Sequence, residues 1–273
     1  MTGRSPGRLL AMAVATALVA WLATEVEAQF RRGFGNVRRA TERDHDGAFH
    51  FCRVQFRSGG GDGGNWSVDW PRADINLTVR LGELTRAHIS RTGGEPNPLV
   101  VLLTDDALFQ CPFVMMTEVG SIAFNDLEAT RLREYVLKGG FVWADDFWGS
   151  YAWDWWESQI RQVLPAVDFP IVDLESSHPL FSSQFLIKQT PQIASINFWA
   201  GTGGGTSERG ADSAVARSRA ILDAQGRIMV LMTHNTDIGD SFEREGDDPQ
   251  YFMTMSVPGY AYGINTLLYS LTH

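Results

Sequence analysis

The sequence has 273 residues, of which 44% are hydrophobic and 20% are charged, which is the composition of a globular protein. The 32 acidic residues outnumber the 23 basic ones and give a formal net charge of −9. This balance argues against nucleic acid or an anionic membrane surface as a partner, because both require basic patches. Two cysteines are too few for a scaffold held together by disulfides.

The first 28 residues have the layout of a secretory signal peptide. Arg4 and Arg8 precede an apolar run at residues 9–22, and small residues stand at the −3 and −1 positions before Gln29. A retained membrane anchor is the alternative, but this run is shorter than the roughly 20 residues that span a bilayer. We therefore expect cleavage after residue 28 and a periplasmic or secreted protein without a membrane span.

The mature chain divides into a flexible leader, residues 29–47, and one domain, residues 48–273. Strand and helix patterns alternate along the domain, which predicts an α/β fold with a parallel sheet covered by helices. The predicted strands are residues 50–56, 87–91, 99–103, 112–117, 141–144, 169–174 and 227–232; the predicted helices begin at Pro71 and Asn125 and cover residues 151–163 and 260–271. Glycine-rich stretches at residues 58–65 and 201–213 predict mobile surface loops.

The helix that begins at Asn125 carries the clearest local signals. Asn125-x-x-Glu128 is a capping box, in which each side chain accepts a hydrogen bond from the backbone amide of the other residue. Gly139-Gly140 supplies the stop, because glycine readily adopts the left-handed conformation that ends many helices. The strand that follows, residues 141–144, is therefore well separated from the helix.

Several longer motifs are spread along residues 48–272. They are Asp69-Trp70-Pro71-x-Ala73-Asp74-x-Asn76-Leu77, Leu108-Phe109-x-x-Pro112-Phe113, Leu132-Arg133-x-Tyr135-Val136-Leu137-x-Gly139-Gly140-Phe141, Ala144-Asp145-Asp146-x-Trp148-Gly149-Ser150, Ser177-His178-Pro179-Leu180-Phe181 and Gly263-x-Asn265. This set resembles the DUF4159 family. The resemblance implies a fold similar to class I glutamine amidotransferases, with a flavodoxin-like sheet that carries helices on both faces. It implies no activity.

The nucleophile of class I amidotransferases has no counterpart here. In that group a cysteine occupies a sharp turn after a central strand, and the corresponding segment, residues 116–121, contains none. Ser121 lies in this turn, but the turn lacks the glycine that a nucleophilic serine would need. Cys52 and Cys111 are either buried apolar residues or, in an oxidising compartment and if their strands are neighbours, a disulfide.

Polar side chains follow several predicted strands. Asp105-Asp106 and Asp145-Asp146 each end a predicted strand. His178 follows the strand at residues 169–174, and His234 and Asp237 follow the last one. Ligands of open α/β sheets bind beyond the carboxyl ends of the strands. If these groups converge, Asp145, Asp146 and His178 can perform acid–base catalysis, and the carboxylates can hold a divalent cation. The alternative is that the aspartates cap helices and accept hydrogen bonds from loop amides.

Tryptophan is concentrated beside the same aspartates. Five of the nine tryptophans lie within residues 143–156. Trp148, together with Asp69 and Trp70 near the first glycine-rich loop, forms a candidate sugar platform in which rings stack and carboxylates bind hydroxyls. Core packing is the alternative, because tryptophan buries a large area. No spacing typical of a zinc site occurs.

Two functional hypotheses follow. The first is an exported binding module without a cysteine nucleophile, which holds a polar small molecule or a glycan, or a protein partner in the cell envelope, at the carboxyl edge of the sheet. The second is an enzyme that uses carboxylate and histidine acid–base chemistry on a carbohydrate, with or without a divalent cation. No cofactor is predicted beyond that cation, with Trp148, Asp69, Trp70, Asp105 and His234 as candidate ligand-binding residues.

Overall fold

The computed structural model describes residues 39–273. The predicted signal peptide and residues 29–38 of the predicted leader lie outside the described residues. Residues 39–47 contact the domain: the Ala40 amide donates to the Val100 carbonyl at 2.8 Å, and Ser90 donates to the Asp46 carboxylate at 2.7 Å. In the described part of the chain, no helix combines the length and apolar character that crossing a membrane requires.

The centre of the domain is a seven-stranded sheet with flavodoxin-like topology. The strands are β1 Cys52–Val54, β2 Arg57–Ser58, β3 Arg91–Thr92, β4 Glu95–Pro96, β5 Leu99–Val101, β6 Phe113–Thr117, β7 Ile122–Ala123, β8 Phe141–Asp145, β9 Ile171–Asp173, β10 Arg217–Leu222 and β11 Ile228–His234. Their order in the sheet is β5-β1-β6-β8-β11-β10-β9. The first five are mutually parallel, and counted along the chain they follow the order 2-1-3-4-5.

Helices cover both faces of this sheet. They are α1 Arg72–Leu84, α2 Asp126–Leu137, α3 Gly149–Val163, α4 Ile196–Thr202, α5 Ile238–Glu243, α6 Pro249–Tyr251 and α7 Val257–Thr272. Apolar side chains of α2 and α3 join one core cluster, and those of α1, α5 and α7 join a second. The predicted α/β fold, a parallel sheet with helices on both faces, is therefore confirmed. The closer similarity to class I amidotransferases stays a prediction.

Strand β6 shows why the sequence forms this sheet. Its side chains alternate between the two clusters: Val114 and Met116 belong to one, and Phe113 and Met115 to the other. A strand that is covered on both faces can be apolar at every position, and each residue of β6 is buried.

An ion pair and a disulfide connect β1 to neighbouring segments of the chain. Arg53 is fully buried and forms an ion pair with Asp74 of α1. Cys52 forms a disulfide with Cys111, with their Cα atoms 6.2 Å apart. Of the two alternatives that the sequence left open for the cysteines, the structure therefore contains the disulfide.

The structure also contains elements that sequence patterns did not predict. Strand β10 is antiparallel to both of its neighbours, β11 and β9, so the sheet is not wholly parallel. The predicted strand at residues 87–91 is displaced, because β3 begins at Arg91 and pairs only with β4 in a separate ribbon. Helices α4 and α5 were not predicted either, and only three residues separate α5 from the end of β11.

Candidate functional site

An open cleft of about 530 Å³ lies at the carboxyl ends of the parallel strands. Glu118 follows β6 and Asp146 follows β8, while Asp237 separates β11 from α5, and all three line the cleft. This is the edge at which flavodoxin-like sheets bind ligands, on either side of the point where the strand order reverses. The fold therefore places a ligand-sized cavity where the topology favours one.

The lining of the cleft is strongly acidic. Two arginines, Arg209 and Arg244, face a larger group of carboxylates: Asp62, Asp69, Glu118, Asp146, Glu208, Asp237, Asp240 and Glu243. Four of these acids, Asp69, Asp146, Asp237 and Asp240, are more than nine-tenths buried. Such a lining repels anions and attracts cations or hydrogen-bond donors.

Three of the acids are held by an unusual backbone conformation. Asp69, Glu118 and Asp146 have φ angles of 63°, 56° and 56°, in the left-handed region that residues other than glycine seldom adopt. Among the described residues, Asn235 is the only other non-glycine residue with positive φ. Conformations of this cost cluster at functional sites, where the surrounding structure enforces them.

Hydrogen bonds fix the orientation of two of the buried acids. The indole Nε1 of Trp148 donates to Asp146 Oδ1 at 3.1 Å. The Asp240 amide donates to Asp237 Oδ1 at 2.8 Å, so Asp237 caps the amino end of α5. Helix α5 in turn places Asp240 and Glu243, at three-residue spacing, on the side that faces the cleft.

Asp69 differs from these acids because one of its oxygens is unsatisfied. Its side chain is 7% exposed, and Oδ2 has no hydrogen-bond partner within the part of the chain that the structure describes. The absence of a side chain at Gly239 creates the space, since a Cβ atom there would lie 2.5 Å from Asp69 Oδ2. A buried acceptor without a partner is costly and calls for an explanation.

Burial and mutual repulsion act on the protonation of these acids. Burial raises the pKa of Asp69, Asp146 and Asp237 well above the ordinary value, and the neighbouring carboxylates raise it further. The pKa of Asp240 rises to about 6 for the same reasons. The cluster therefore needs either protons or a cation to be stable near neutral pH.

The carboxylates approach one another closely enough to share a cation. One oxygen each from Asp69, Asp146 and Asp237 lie within 4.8 Å of one another, and the same holds for Asp69, Asp240 and Glu243. Carboxylate oxygens are the preferred ligands of hard divalent cations such as Ca²⁺ and Mg²⁺. Asp69 belongs to both sets.

The structure brings Asp69, Asp146 and Trp148 together in the cleft, but it gives Asp145 another position. Asp145 lies beneath the cleft, where Oδ2 accepts from the Gly239 amide at 3.0 Å and Oδ1 accepts from Thr233. Burial raises the pKa of Asp145 to about 7. Its contacts are those of the helix-capping alternative, because Gly239 belongs to the first turn of α5.

His178 does not meet the aspartates. Its ring packs 5.3 Å from that of Tyr269, whose hydroxyl accepts from the Ile228 amide where β11 begins. Asp146 follows the carboxyl end of β8, so the two side chains lie towards opposite edges of the sheet. The reason is that the chain turns back after β9, with a hydrogen bond from the His178 amide to the Glu175 carbonyl.

The remaining predicted residues lie near the same edge but outside the lining. His234 packs between Phe147 and Trp153, with ring centroids 5.0 and 5.1 Å away. Asp105 accepts from the Leu102 amide at 2.8 Å in the loop after β5. Trp70 packs against Trp66, with ring centroids 5.8 Å apart.

Of the clustered tryptophans, Trp148 alone lines the cleft. Trp143 and Trp156 are fully buried, so they contribute to the two core clusters on either face of the sheet. Trp155 donates to the Ile122 carbonyl at 2.7 Å and packs beneath the first glycine-rich loop. For most of this cluster, core packing is therefore the role that the contacts describe.

Sequence reasoning missed Glu118, Asp240 and Glu243. Glu118 occupies the turn after β6, where the resemblance to amidotransferases draws attention to a cysteine or serine nucleophile rather than to a carboxylate. Asp237, Asp240 and Glu243 recur every three residues just after the last strand, a spacing that puts them on one helix face. That spacing was the available signal.

Comparison with protein-family models finds a match to Domain of unknown function (DUF4159) over residues 50–271. The match covers nearly all of the described chain and every acidic residue of the cleft. Comparison with curated proteins finds no match.

Proposed function

The chain belongs to the DUF4159 family, and from the chemistry of its cleft we propose that it is an exported module that binds a hydroxyl-rich small molecule or glycan. The observation that carries the proposal is the cleft itself. It has ligand size, lies at the edge of the sheet where such folds bind ligands, and is lined mainly by carboxylates.

Hydroxyl groups are the donors that this lining can use. Carboxylates are pure acceptors when ionised, so each can accept hydrogen bonds from sugar hydroxyls. Val68, Ile196 and the Trp148 ring supply apolar surface, and Asn197 supplies both a donor and an acceptor. The acid excess disfavours phosphorylated or sulfated ligands, so neutral sugars and amino sugars fit best.

Two observations support export. The amino-terminal sequence has the signal-peptide layout, and the domain carries the Cys52–Cys111 disulfide. Disulfides persist in oxidising compartments and are rare in the cytosol of most organisms. We therefore propose a periplasmic or secreted location.

A thermal-shift screen of neutral, amino and acidic sugars tests the binding function. A neutral or amino sugar at about one hundred times its Kd should raise the free energy of unfolding by about 2.7 kcal/mol and so raise Tm. Acidic sugars should give no shift. Stabilisation by acidic sugars alone, or by no sugar, would contradict the proposal.

Asp146→Asn localises the binding. We expect it to weaken sugar binding by at least about tenfold, since a buried acceptor that pairs with a ligand contributes on the order of 1.5–3 kcal/mol when charged. The variant should remain folded, because an amide oxygen can still accept from Trp148. Asp154→Asn, on the exposed side of α3, is the matched control and should bind as the wild type does.

One observation favours the second candidate, an enzyme that acts on a carbohydrate. Glu118 and Asp146 follow the neighbouring strands β6 and β8 and both line the cleft, and the charge of Glu118 further raises the pKa of Asp146. Burial raises the pKa of both groups, which suits a general acid. His178 has no part in this version.

Release of reducing ends from oligosaccharides measures this activity. Glu118→Gln should abolish turnover while sugar binding persists. Binding without any turnover by the wild type would leave the binding module as the function.

A further inference from the structure

We propose that Asp69, Asp146 and Asp237 form a divalent-cation site at the base of the cleft. The inference rests on the proposed function for the choice of cleft and deepens it, because it names what offsets the negative charge there. It does not require that the bound organic ligand be a sugar.

The ligand set has the chemistry of a hard cation. Three carboxylate oxygens, one from each residue, lie within 4.8 Å of one another. Three carboxylates leave coordination positions for water or for hydroxyl oxygens of a bound sugar, as Ca²⁺, Mg²⁺ and Mn²⁺ commonly take six or more oxygens. No thiolate or imidazole belongs to the set, which disfavours zinc.

The unsatisfied oxygen of Asp69 is an independent indication of a ligand. Asp69 is 7% exposed and lines the cleft, yet Oδ2 finds no partner among the described residues. An ion pair is also missing: within residues 39–273, Asp69, Asp146 and Asp237 form none, since the nearby Arg53 is paired with Asp74. A cation would satisfy the oxygen and offset the charge together.

The other two carboxylates are oriented as ligands usually are. The Trp148 indole donates to Oδ1 of Asp146, and the Asp240 amide donates to Oδ1 of Asp237. Each carboxylate therefore has a second oxygen that can bind a cation. Hydrogen bonds of this kind fix a metal ligand and are a regular part of metal sites.

The neighbouring set, Asp69, Asp240 and Glu243, is a weaker candidate. The Arg244 guanidinium lies 2.5 Å from Glu243 and 3.8 Å from Asp240, so its charge is already offset. The Ile196 amide also donates to Asp240 at 3.2 Å. The first set accepts hydrogen bonds from neutral groups only, and within the described residues it forms no ion pair.

Calorimetric titration of the EDTA-treated, desalted protein with CaCl₂, MgCl₂ and MnCl₂ tests the site. We expect one ion to bind per chain for at least one of the three salts. Asp69→Asn should weaken binding by at least about tenfold, because even changes in the groups that orient metal ligands cost that much. Asp154→Asn should bind as the wild type does. If none of the three ions binds the wild type, or if Asp69→Asn binds equally well, the proposal is wrong.

Unfolding experiments separate loss of the ion from loss of the fold. Without metal, Asp69→Asn should be at least as stable as the wild type, since it removes a buried acceptor that lacks a partner. Added metal should raise Tm for the wild type and not for the variant. Should Asp69→Asn fail to fold, Asp146→Asn provides the same comparison.

The experiments can contradict the sugar-binding function and the cation site independently of each other. Metal binding without stabilisation by any sugar would overturn the binding function and support the cation site. Sugar binding that is unaffected by EDTA, in a protein that binds none of the three ions, would overturn the cation site alone.

Discussion

His234 ends β11 with its ring enclosed by aromatic side chains. Its Nε2 lies 2.9 Å from the Gly149 carbonyl, so this nitrogen carries the proton, and Nδ1 has no partner among the described residues. Burial therefore lowers the pKa of His234 to about 4. The native protein holds the neutral ring over the whole range in which a free histidine becomes charged.

This predicts a loss of stability on acidification. Between pH 6.5 and pH 4 the unfolded chain binds a proton at His234 that the native chain does not, so the free energy of unfolding falls as pH falls. The expected contribution from pH 7 to pH 5 is about 2 kcal/mol. Urea unfolding at the two pH values should show a smaller decrease for His234→Gln than for the wild type. His88→Gln, at an exposed histidine, should match the wild type; an equal decrease in all three proteins would refute the assignment.

At the scale of single residues, the rule that ligands bind beyond strand ends found part of the site. It identified Asp146, which directly follows a parallel strand. The rule did not hold for His178. The four residues between β9 and His178 let the chain turn back, so that His178 lies away from the carboxyl ends of the parallel strands. The rule also pointed to Asp237, which follows the last parallel strand and lines the cleft, but the helix that Asp237 caps, α5, was not predicted.

The glycine-rich segment at residues 59–64 is an element with defined contacts. The Gly59 amide donates to the Ser121 carbonyl at 2.9 Å, and the Asp62 amide donates to the Gly120 carbonyl at 3.0 Å. Asp62 also forms an ion pair with Arg209 at 3.1 Å, which joins this segment to the second glycine-rich segment, residues 201–213. Both glycine-rich segments thus contribute to the walls of the cleft.

Gly61→Ala tests this docking. Gly61 has a φ of +75°, and an added Cβ would overlap the Gly120 carbonyl oxygen. Gly94 has a φ of +94°, and an added Cβ there would meet nothing within 4 Å, so Gly94→Ala carries only the cost of the left-handed backbone, roughly 1–2 kcal/mol. Denaturant unfolding should show a larger loss for Gly61→Ala, accompanied by weaker ligand binding. Equal losses would mean that the segment is not docked.

At the scale of elements, strong local sequence signals were sufficient to predict where a helix begins. The capping box predicted at Asn125 and Glu128 is present, and α2 begins at Asp126. Helix α5 was missed because it has only six residues and includes Gly239 and Ser241, which are weak helix formers. Its stability depends on Asp237 and Asp145, which bind its first amides from outside the helix.

At the scale of the whole molecule, the Cys52–Cys111 disulfide restricts the unfolded chain. It joins residues separated by 59 positions, and a loop of that size is expected to stabilise the fold by about 4 kcal/mol. Dithiothreitol should therefore lower the urea midpoint of the wild type. The double variant Cys52→Ala/Cys111→Ala should be insensitive to dithiothreitol, and an unchanged wild-type midpoint would contradict the prediction.

The architecture was predictable because alternation of strand and helix patterns leaves few topologies for a parallel sheet. The antiparallel position of β10 was not, since Arg217–Leu222 mixes charged and apolar residues without a distinct signal. The complete lining of the cleft was also beyond sequence reasoning, because its acids come from segments far apart in the chain and Glu118, Asp240 and Glu243 were not identified.

The contact of residues 39–40 with β5 has a consequence for self-association. An open strand edge exposes amides and carbonyls that can pair with another copy of the chain. Here the Ala40 amide already occupies the Val100 carbonyl on the outer side of β5. A chain shortened to begin at residue 48 would keep the domain matched by the family and yet uncover this edge, so its tendency to aggregate would come from the missing segment rather than from a damaged core.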